Sequence, residues 1–433
     1  MLKCSFIKEE KKEICRRLKK KNFYNFFIIN LILKNEKQKK KIKLKINNLF
    51  FYINFFSKKI LLFLKNKYFL ELIKSYSFFL KKKIKSYKKI IKKINIKLIN
   101  NLIKIPNIPS KEIKKKTNIV LYQNFYKKKI KQNLFPHWEL GKKFKLFCLK
   151  QGSIISGNGF NVLINTGALY QRSLIQFFLE KNIISGYIEY ILPFIVNKNS
   201  VYGTGQFPDK ENQMYNINLN YENLNSENLN LYLIPTGEVP LINIFKNKIF
   251  KESELPLKGT TNTSCFRRES GSYGTNVRGL NRLHQFEKVE IVQISTCYYS
   301  YYSFYEMVNH IKYILLSLKL KFRIIQLCGN ELGFTSALTY DFEVYSPGQK
   351  KWLEVSSVSN CINFQSNRLN IKYRSIKGNI QDCHSLNGSS LAIPRIFSTL
   401  IENYQNRNYI LIPKELIKLM KRKKINICQN IVK

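Results

Sequence analysis

The stretch Thr263-Ser-Cys-Phe-Arg-Arg-Glu-Ser-Gly-Ser-Tyr-Gly-Thr-Asn-Val-Arg-Gly-Leu-Asn-Arg-Leu-His-Gln-Phe-Glu-Lys-Val-Glu290 decides how the rest of the chain is read. Two strand-like runs surround a glycine-rich loop. Period two places Arg267 and Glu269 on one face, and places Phe286, Lys288 and Glu290 on one face of the returning strand. An arginine fork reads phosphate oxygens bidentately, an aromatic ring stacks on a base, and a buried carboxylate holds a hydroxyl or an ammonium. These are the parts of a site for a nucleotide and a small polar substrate. Arginine–glutamate pairs across strands are equally common as structural salt bridges, so the residues alone leave both readings open.

Working outward, turn signals separate alternating stretches from about residue 135 onward. The pattern predicts a helix around Ala168 to Lys181, a run Tyr187 to Val196 ending in a strand, and an ordinary loop over the Asn-rich Asn216 to Asn230. Tyr340 to Tyr345 and Lys351 to Val358 flank Ser346-Pro-Gly-Gln349, a good hairpin turn. Locally paired strands with helices between them predict an α+β domain on an antiparallel sheet.

Upstream the period changes. Leu70, Ile73, Ser77, Leu80, Ile84, Tyr87, Ile91, Ile94 and Leu98 are spaced three and four apart, a heptad seam on a helix of about 43 Å. Ile42, Ile46, Leu49, Ile53 and Phe56 repeat it, with Ser57 to Lys67 as the reversal, so an antiparallel helical hairpin over about 27–103 is expected. Pro106, Pro109 and Ser110 close it, because proline removes a donor and restricts its predecessor. The expected division is an N-terminal domain 1–110 and a second domain 111–433.

Of 433 residues, 75 are Lys or Arg and 27 Asp or Glu, a formal charge of +48, while 44 % apolar and 14 % aromatic content exclude disorder as the dominant state. Residues 1–110 carry 31 basic and 5 acidic side chains. Such a field suits a polyanion such as nucleic acid. Drift in an AT-rich coding sequence would also enrich Lys, Asn, Ile, Phe and Tyr. Lys81 to Lys83, Lys85, Lys88, Lys89, Lys92 and Lys93 decorate the faces away from the seam, where a solvated coiled coil without ligand would carry them as well.

Nine cysteines form no CxxC pair, which argues against a zinc site or a disulfide framework and for a reducing cytosol. The longest apolar runs, Phe26 to Leu33 and Leu49 to Phe56, fall short of the roughly 18 to 20 residues of a membrane span. No small-residue cleavage site follows the first, so neither membrane insertion nor secretion is expected and a cytoplasmic location is. Both common phosphate loops are absent, and four histidines leave little material for a His-based triad. The chemistry must rest on arginine, glutamate and hydroxyls.

The segment 263–290 resembles motif 2 of class II aminoacyl-tRNA synthetases in the form found in seryl-tRNA synthetases, F-R-x-E-x-G-S-x-G…R-G-L-x-R-x-H-Q-F-x-K-V-E. Further matches stand in the right order: Tyr202-Gly-Thr-Gly-Gln206, Leu233-Ile-Pro-Thr-Gly-Glu-Val-Pro-Leu241, Glu354-Val-Ser-Ser-Val-Ser-Asn360 with Phe364-Gln365, and His384-Ser-Leu-Asn-Gly-Ser-Ser-Leu-Ala392 with Arg395 and Glu402-Asn-Tyr-Gln405. Met1 through Phe23 and Ile105-Pro-Asn-Ile-Pro109 look like that family's arm boundaries.

The resemblance implies a helical tRNA-binding arm followed by a class II catalytic domain. It implies activation of L-serine with ATP to seryl-adenylate and transfer to the terminal adenosine of tRNA(Ser), with selenocysteine tRNA as a second candidate. Arg267 would hold the α-phosphate, Glu269 the adenine side, and Arg395 would face Phe286 across the adenine; these with Arg268, Glu354, Val355, Ser356 and Ser357 form the implied ATP set. Glu354 and Ser357 would carry Mg²⁺ on the phosphates. A regular strand puts 354 and 357 on opposite faces, so that pairing requires a bulge or a strand end. Glu290 and Ser389 would receive the serine hydroxyl, Thr236 and Glu238 its ammonium, with Gly237 and Arg267 alongside. Pro193 looks like the motif 1 proline of a homodimer interface, and His284 and His384 read as structural.

Thr275, Ser264, Gly237, Val358 and Pro394 depart from the family's usual Arg, Pro, Ala, Cys and Gly. Pro394 bears most on the site, since it removes a backbone donor beside Arg395. A relative that loads a carrier protein would lack the arm, and a degenerate RNA-binding protein would have lost motif residues; neither loss is seen.

Overall fold

The computed structural model describes residues 1–59, 67–124, 134–208, 212–217, 230–269 and 278–427. The chain divides into two compact units, 1–106 and 107–433.

In the first unit, short helices Cys4–Glu9 and Lys11–Leu18 precede two long ones, α1 (Phe27–Lys59) and α2 (Lys67–Leu102). Contacts between Phe56 and Tyr76 and between Phe50 and Lys88 show that residue numbers rise on one helix as they fall on the other, an antiparallel hairpin. Ile46, Ile53, Leu80 and Ile84 bury together against Ile42, Leu49, Tyr87 and Ile91, the predicted seam. Ser57 continues α1, its hydroxyl donating to the Ile53 carbonyl, so the reversal begins later than the sequence suggests. Residues 60–66 of that reversal lie outside the described residues.

The second unit is built on an eight-stranded sheet: β1 (Ile119–Gln123), β2 (Ile188–Glu189), β3 (Leu257–Phe266), β4 (Gln285–Ser295), β5 (Phe322–Gln326), β6 (Leu338–Ser346), β7 (Lys351–Asn360) and β8 (His384–Ala392). Their spatial order is β1-β5-β6-β7-β8-β4-β3-β2. Pairing is antiparallel throughout except at the β2–β3 edge. The α+β class holds, with one correction: the central strand β8 joins β7 and β4 from far along the chain, so pairing is not purely local.

Helices α3 (His137–Lys143), α4 (Thr166–Ile184), α5 (Glu238–Asn243), α6 (Ser300–Ser317), α7 (Phe364–Leu369) and α8 (Ile393–Asn403) belong to this unit. A continuous core joins Tyr170, Leu174 and Phe178 of α4, Phe304, Met307 and Ile311 of α6 and Phe397, Leu400 and Ile401 of α8 to Val289, Phe342, Val358 and Leu386 of the sheet. The apolar stripes of these helices are thus spent on the sheet, and the polar middle of β3, β4, β7 and β8 is left to form a site. The Asn-rich stretch is not all loop: Asn216–Ile217 pairs with Leu231–Leu233, which also pairs with Ile195–Asn197, while 218–229 lie outside the described residues.

Candidate active site

A cleft of about 620 Å³ opens over this polar region, and every described residue lining it belongs to the second unit. Two irregularities in the ladder shape it. On β7, Phe342 faces Ser356 while Glu343 faces Glu354, so Val355 is a bulged extra residue. The bulge cancels the alternation and brings Glu354 and Ser357 to the same cleft. On β8, Lys288 faces Ala392 but Glu290 faces Ser389, and Leu391 takes up the extra length at a φ of 76°. A leucine held in left-handed backbone is strained, and here it separates Ser389 from the start of α8.

One end of the cleft is acidic and buried. Glu290, 2 % exposed, is ion-paired with Lys288 and accepts from the Thr236 hydroxyl at 3.2 Å. Thr236 Oγ1 in turn accepts from Lys288 Nζ at 2.9 Å and from the Glu238 amide at 3.3 Å. Glu238, at the start of α5, accepts from Gln365 at 2.5 Å and Asn387 at 2.8 Å. Burial and, next, the Glu290 charge push its carboxyl up to about 7, against the lowering effect of Gln365, Lys288 and Asn387. Ser389 lines the same end, its carbonyl accepting from Ser356 Oγ at 2.5 Å. Gly237 stands where a Cβ would come within 2.8 Å of Thr263 Oγ1 and 3.1 Å of Thr261 Cγ2, so the backbone passes close to β3.

The other end is rich in arginine. Strand β3 stops at Phe266, so Arg267 and Glu269 share the cleft by a different route from the strand alternation the sequence suggests. Arg267 continues the ladder through its amide to the His284 carbonyl at 2.9 Å, and Glu269 then turns inward at a φ of 45°. The Arg267 guanidinium lies 5.4 Å from the Phe286 ring centroid, and its Nε donates to the Pro235 carbonyl at 3.2 Å. Glu269 pairs with Arg282 at 2.9 Å. Arg395 lies 3.4 Å from the Glu354 carboxylate and donates to the Glu354 carbonyl at 2.9 Å. Arg268 is not a lining residue; its amide donates to the Gln213 carbonyl at 2.8 Å.

Pro394 falls in the first turn of α8, where backbone N–H groups have no intrahelical acceptor, so its missing donor costs the helix nothing and Arg395 still reaches the cleft. Thr275 lies outside the described residues. His284 and His384 are framework groups: His284 Nδ1 meets the Tyr215 hydroxyl at 2.7 Å, His384 Nδ1 meets Ser300 Oγ at 2.8 Å, and burial lowers His384 to about 4. Lys288, which strand alternation already places beside Phe286 and Glu290, belongs to the site; so do Arg282, Asn387 and, through Glu238, Gln365, which no sequence signal beyond their place in or beside the motifs marks out.

A cleft with a buried carboxylate end and an arginine end can hold a small zwitterion against a phosphate. Comparison with known proteins agrees with that chemistry. The description "tRNA synthetase class II core domain (G, H, P, S and T)" matches residues 218–404. A serine--tRNA ligase of Methylacidiphilum infernorum (isolate V4) is 41 % identical over 73 % of this chain and 74 % of its own, and one of Phytoplasma mali (strain AT) is 38 % identical over 97 % and 99 %. The crystal structure of seryl-tRNA synthetase from Pyrococcus horikoshii complexed with ATP superposes with a TM-score of 0.88 at 26 % identity, over 99 % of this chain and all of that one. With 38 % identity over nearly the whole of both chains and the five motifs gathered around one cleft, the chain belongs to the seryl-tRNA synthetases, the serine--tRNA ligases of class II.

Proposed function

We propose that this serine--tRNA ligase makes seryl-adenylate in the cleft, with L-serine at the Glu238–Glu290 end and ATP at the Arg267–Arg395 end. The observation that carries the reading is the sorting of charge within one cavity: buried carboxylates with Thr236 at one end, arginines and Phe286 at the other. A serine carboxylate oxygen attacks the α-phosphorus, the bond to pyrophosphate breaks, and a hydroxyl of the terminal adenosine of tRNA(Ser) then attacks the activated carbonyl, releasing AMP. Arg267 neutralises the charge gathering on the α-phosphate, Phe286 and Arg395 hold the adenine, and Glu269 keeps Arg282 beside it. Positioning and charge neutralisation do most of the work, as suits a cleft with no histidine among its described lining residues.

Mg²⁺ fits the donors at Glu354 and Ser357, a half-exposed carboxylate and a hydroxyl on the same cleft. Among the described residues no group of three or more His, Cys, Asp or Glu could hold a metal, so the remaining oxygens would come from the nucleotide. When bound, the ion supplies positive charge to the phosphates.

Residues 1–110 act in this reading as the tRNA-binding domain, through the lysine-lined hairpin, and 111–433 as the catalytic domain. Helical RNA is read through backbone and shape, which exposed lysines do without base contacts. A homodimer is supported by the apolar face around Pro193, where Ile184, Ile188, Ile191 and Ile195 are exposed. The proposed location is the cytoplasm; among the described residues no helix is long and apolar enough to cross a membrane.

The test is ATP–pyrophosphate exchange with serine, alanine, threonine and glycine supplied separately. Exchange with serine alone is expected; silence with all four in folded protein overturns the reading in favour of a degenerate RNA-binding protein.

Glu238 adds a pH signature. Its ionised form is the one that pairs with an ammonium, so the KM for serine should rise as pH falls below about 7, by roughly tenfold per unit well below it. The KM for ATP serves as the control and stays flat. The same group makes folding less favourable as pH rises: between the ordinary carboxyl value of 4.5 and about 7 the folded protein keeps a proton the unfolded chain has lost. A serine KM independent of pH between about 5.5 and about 8 would remove Glu238 from the ammonium site.

A further inference from the structure

We propose that His137 is a positioning residue for the nucleotide end of the cleft, acting through the segment Arg278–Arg282. The inference rests on the reading of that end as the ATP site.

His137 opens α3 and is wholly buried. Its Nε2 accepts the Leu280 amide at 2.9 Å. A ring nitrogen that accepts a backbone N–H carries no proton, so the proton sits on Nδ1, which donates to Glu402 Oε1 at 2.9 Å. Glu402, fully buried on α8, is crowded with further donors: the His137 amide at 2.8 Å, the Gly348 amide at 3.1 Å, Gln349 Nε2 at 3.0 Å and the Ser346 hydroxyl. Gln349 Nε2 also lies 3.2 Å from Nδ1, both groups donating to the same carboxylate oxygen. The tautomer is thus fixed from both sides of the ring.

The other end of Gln349 faces the cleft segment, Oε1 accepting from Asn281 Nδ2 at 2.8 Å. Two consecutive residues are therefore tied to one buried cluster, Leu280 by its amide and Asn281 by its side chain. The backbone lies directly on the ring: Gly279 has a φ of 79°, and a Cβ there would come within 2.1 Å of His137 Nε2. Arg278 stacks 4.8 Å over Trp138, the residue after His137.

What this segment holds gives the cluster its role. Arg282 pairs with Glu269, and the Asn281 carbonyl accepts from Arg395 Nε at 3.4 Å. Leu280, Asn281, Arg282, Glu269 and Arg395 all line the cleft. His137 itself is not a lining residue, so it acts through these groups.

Two variants separate acceptor from bulk. The carbonyl of glutamine reaches the Nε2 position and can accept the Leu280 amide; asparagine reaches only the Nδ1 position. In serine-dependent ATP–pyrophosphate exchange, His137→Asn should raise the KM for ATP about tenfold and leave the KM for serine within about twofold, while His137→Gln should restore the KM for ATP to within about threefold of the parent. Equal ATP KM values in the two variants, or ATP and serine KM rising together, overturn the proposal. Arg395→Ala is run beside them. If it raises the KM for ATP and His137→Asn does not, the anchor fails and the ATP site stands; if neither moves it, both fail. Imidazole nitrogen chemical shifts of the full chain, with only four histidines to resolve, should show His137 protonated on Nδ1 alone, and the opposite tautomer or a doubly protonated ring overturns the proposal.

Discussion

Glu290→Ala should reduce serine-dependent ATP–pyrophosphate exchange by roughly three orders of magnitude and erase the preference for serine over alanine. Glu290 sits on β4, buried, with Lys288 on one side and the Thr236 hydroxyl on the other. A substrate hydroxyl arriving there donates into a carboxylate that water cannot replace. Alanine brings no hydroxyl and leaves the buried acceptor short of a partner, which is why such a site rejects the smaller molecule far better than its volume alone would. Truncation to alanine also strands the Lys288 ammonium in a buried position, so part of the loss would be damage to the fold. Glu290→Gln removes the charge alone: it keeps the side-chain volume and an oxygen for Thr236, although the Lys288 ammonium still loses its counter-charge. The glutamine variant should melt below the parent but above the alanine variant, exchange weakly, and discriminate serine from alanine by no more than about tenfold. Parental preference for serine in that variant would show that selection lies elsewhere in the cleft.

Local period makes the hairpin legible in the sequence. Seam residues Ile46, Ile53, Leu80 and Ile84 recur at heptad spacing, and burying them is the only way two such helices satisfy that spacing. The β6–β7 hairpin is legible for a similar reason, since Ser346 to Gln349 carries its turn chemistry within four residues. The central place of β8 is not legible, because nothing in a strand's own alternation says which distant strand will flank it. The bulge at Val355 enters the sequence reading only as a condition that Glu354 and Ser357 have to meet; the residues of β7 read equally well as a regular strand. Arg267 and Glu269 illustrate a right grouping with the wrong geometry, for the strand ends at Phe266 and a left-handed residue does what alternation is expected to do. Pro394 draws notice in the sequence for its missing donor, whereas its position in the first turn of α8 decides the outcome. His137 and Glu402, 265 residues apart in sequence, share no period or spacing that could pair them.

Replacing Lys81, Lys82, Lys85, Lys89 and Lys92 together by glutamine should raise the KM for tRNA(Ser) about a hundredfold or more at physiological salt while leaving ATP–pyrophosphate exchange within about twofold. All five are exposed on α2 and none belongs to the seam, and glutamine keeps the helix propensity of lysine, so the hairpin should stay intact. Among the described residues none of the first unit lines the cleft, which is why the adenylate step should be indifferent to the change. Each lysine that neutralises an RNA phosphate releases a counterion, so the dependence of log KM on log salt should flatten by roughly one unit for every such lysine replaced. That slope distinguishes the two sources of positive charge. Lysines fixed by drift in base composition would leave both the KM and the slope unchanged, because the field of the remaining basic residues would still attract tRNA. Lysines that grip the RNA backbone would lower affinity and slope together. Equal loss in exchange and in charging would instead mean that the two units are not divided between RNA binding and catalysis, and the hairpin would have to be assigned a part in the chemistry of the cleft.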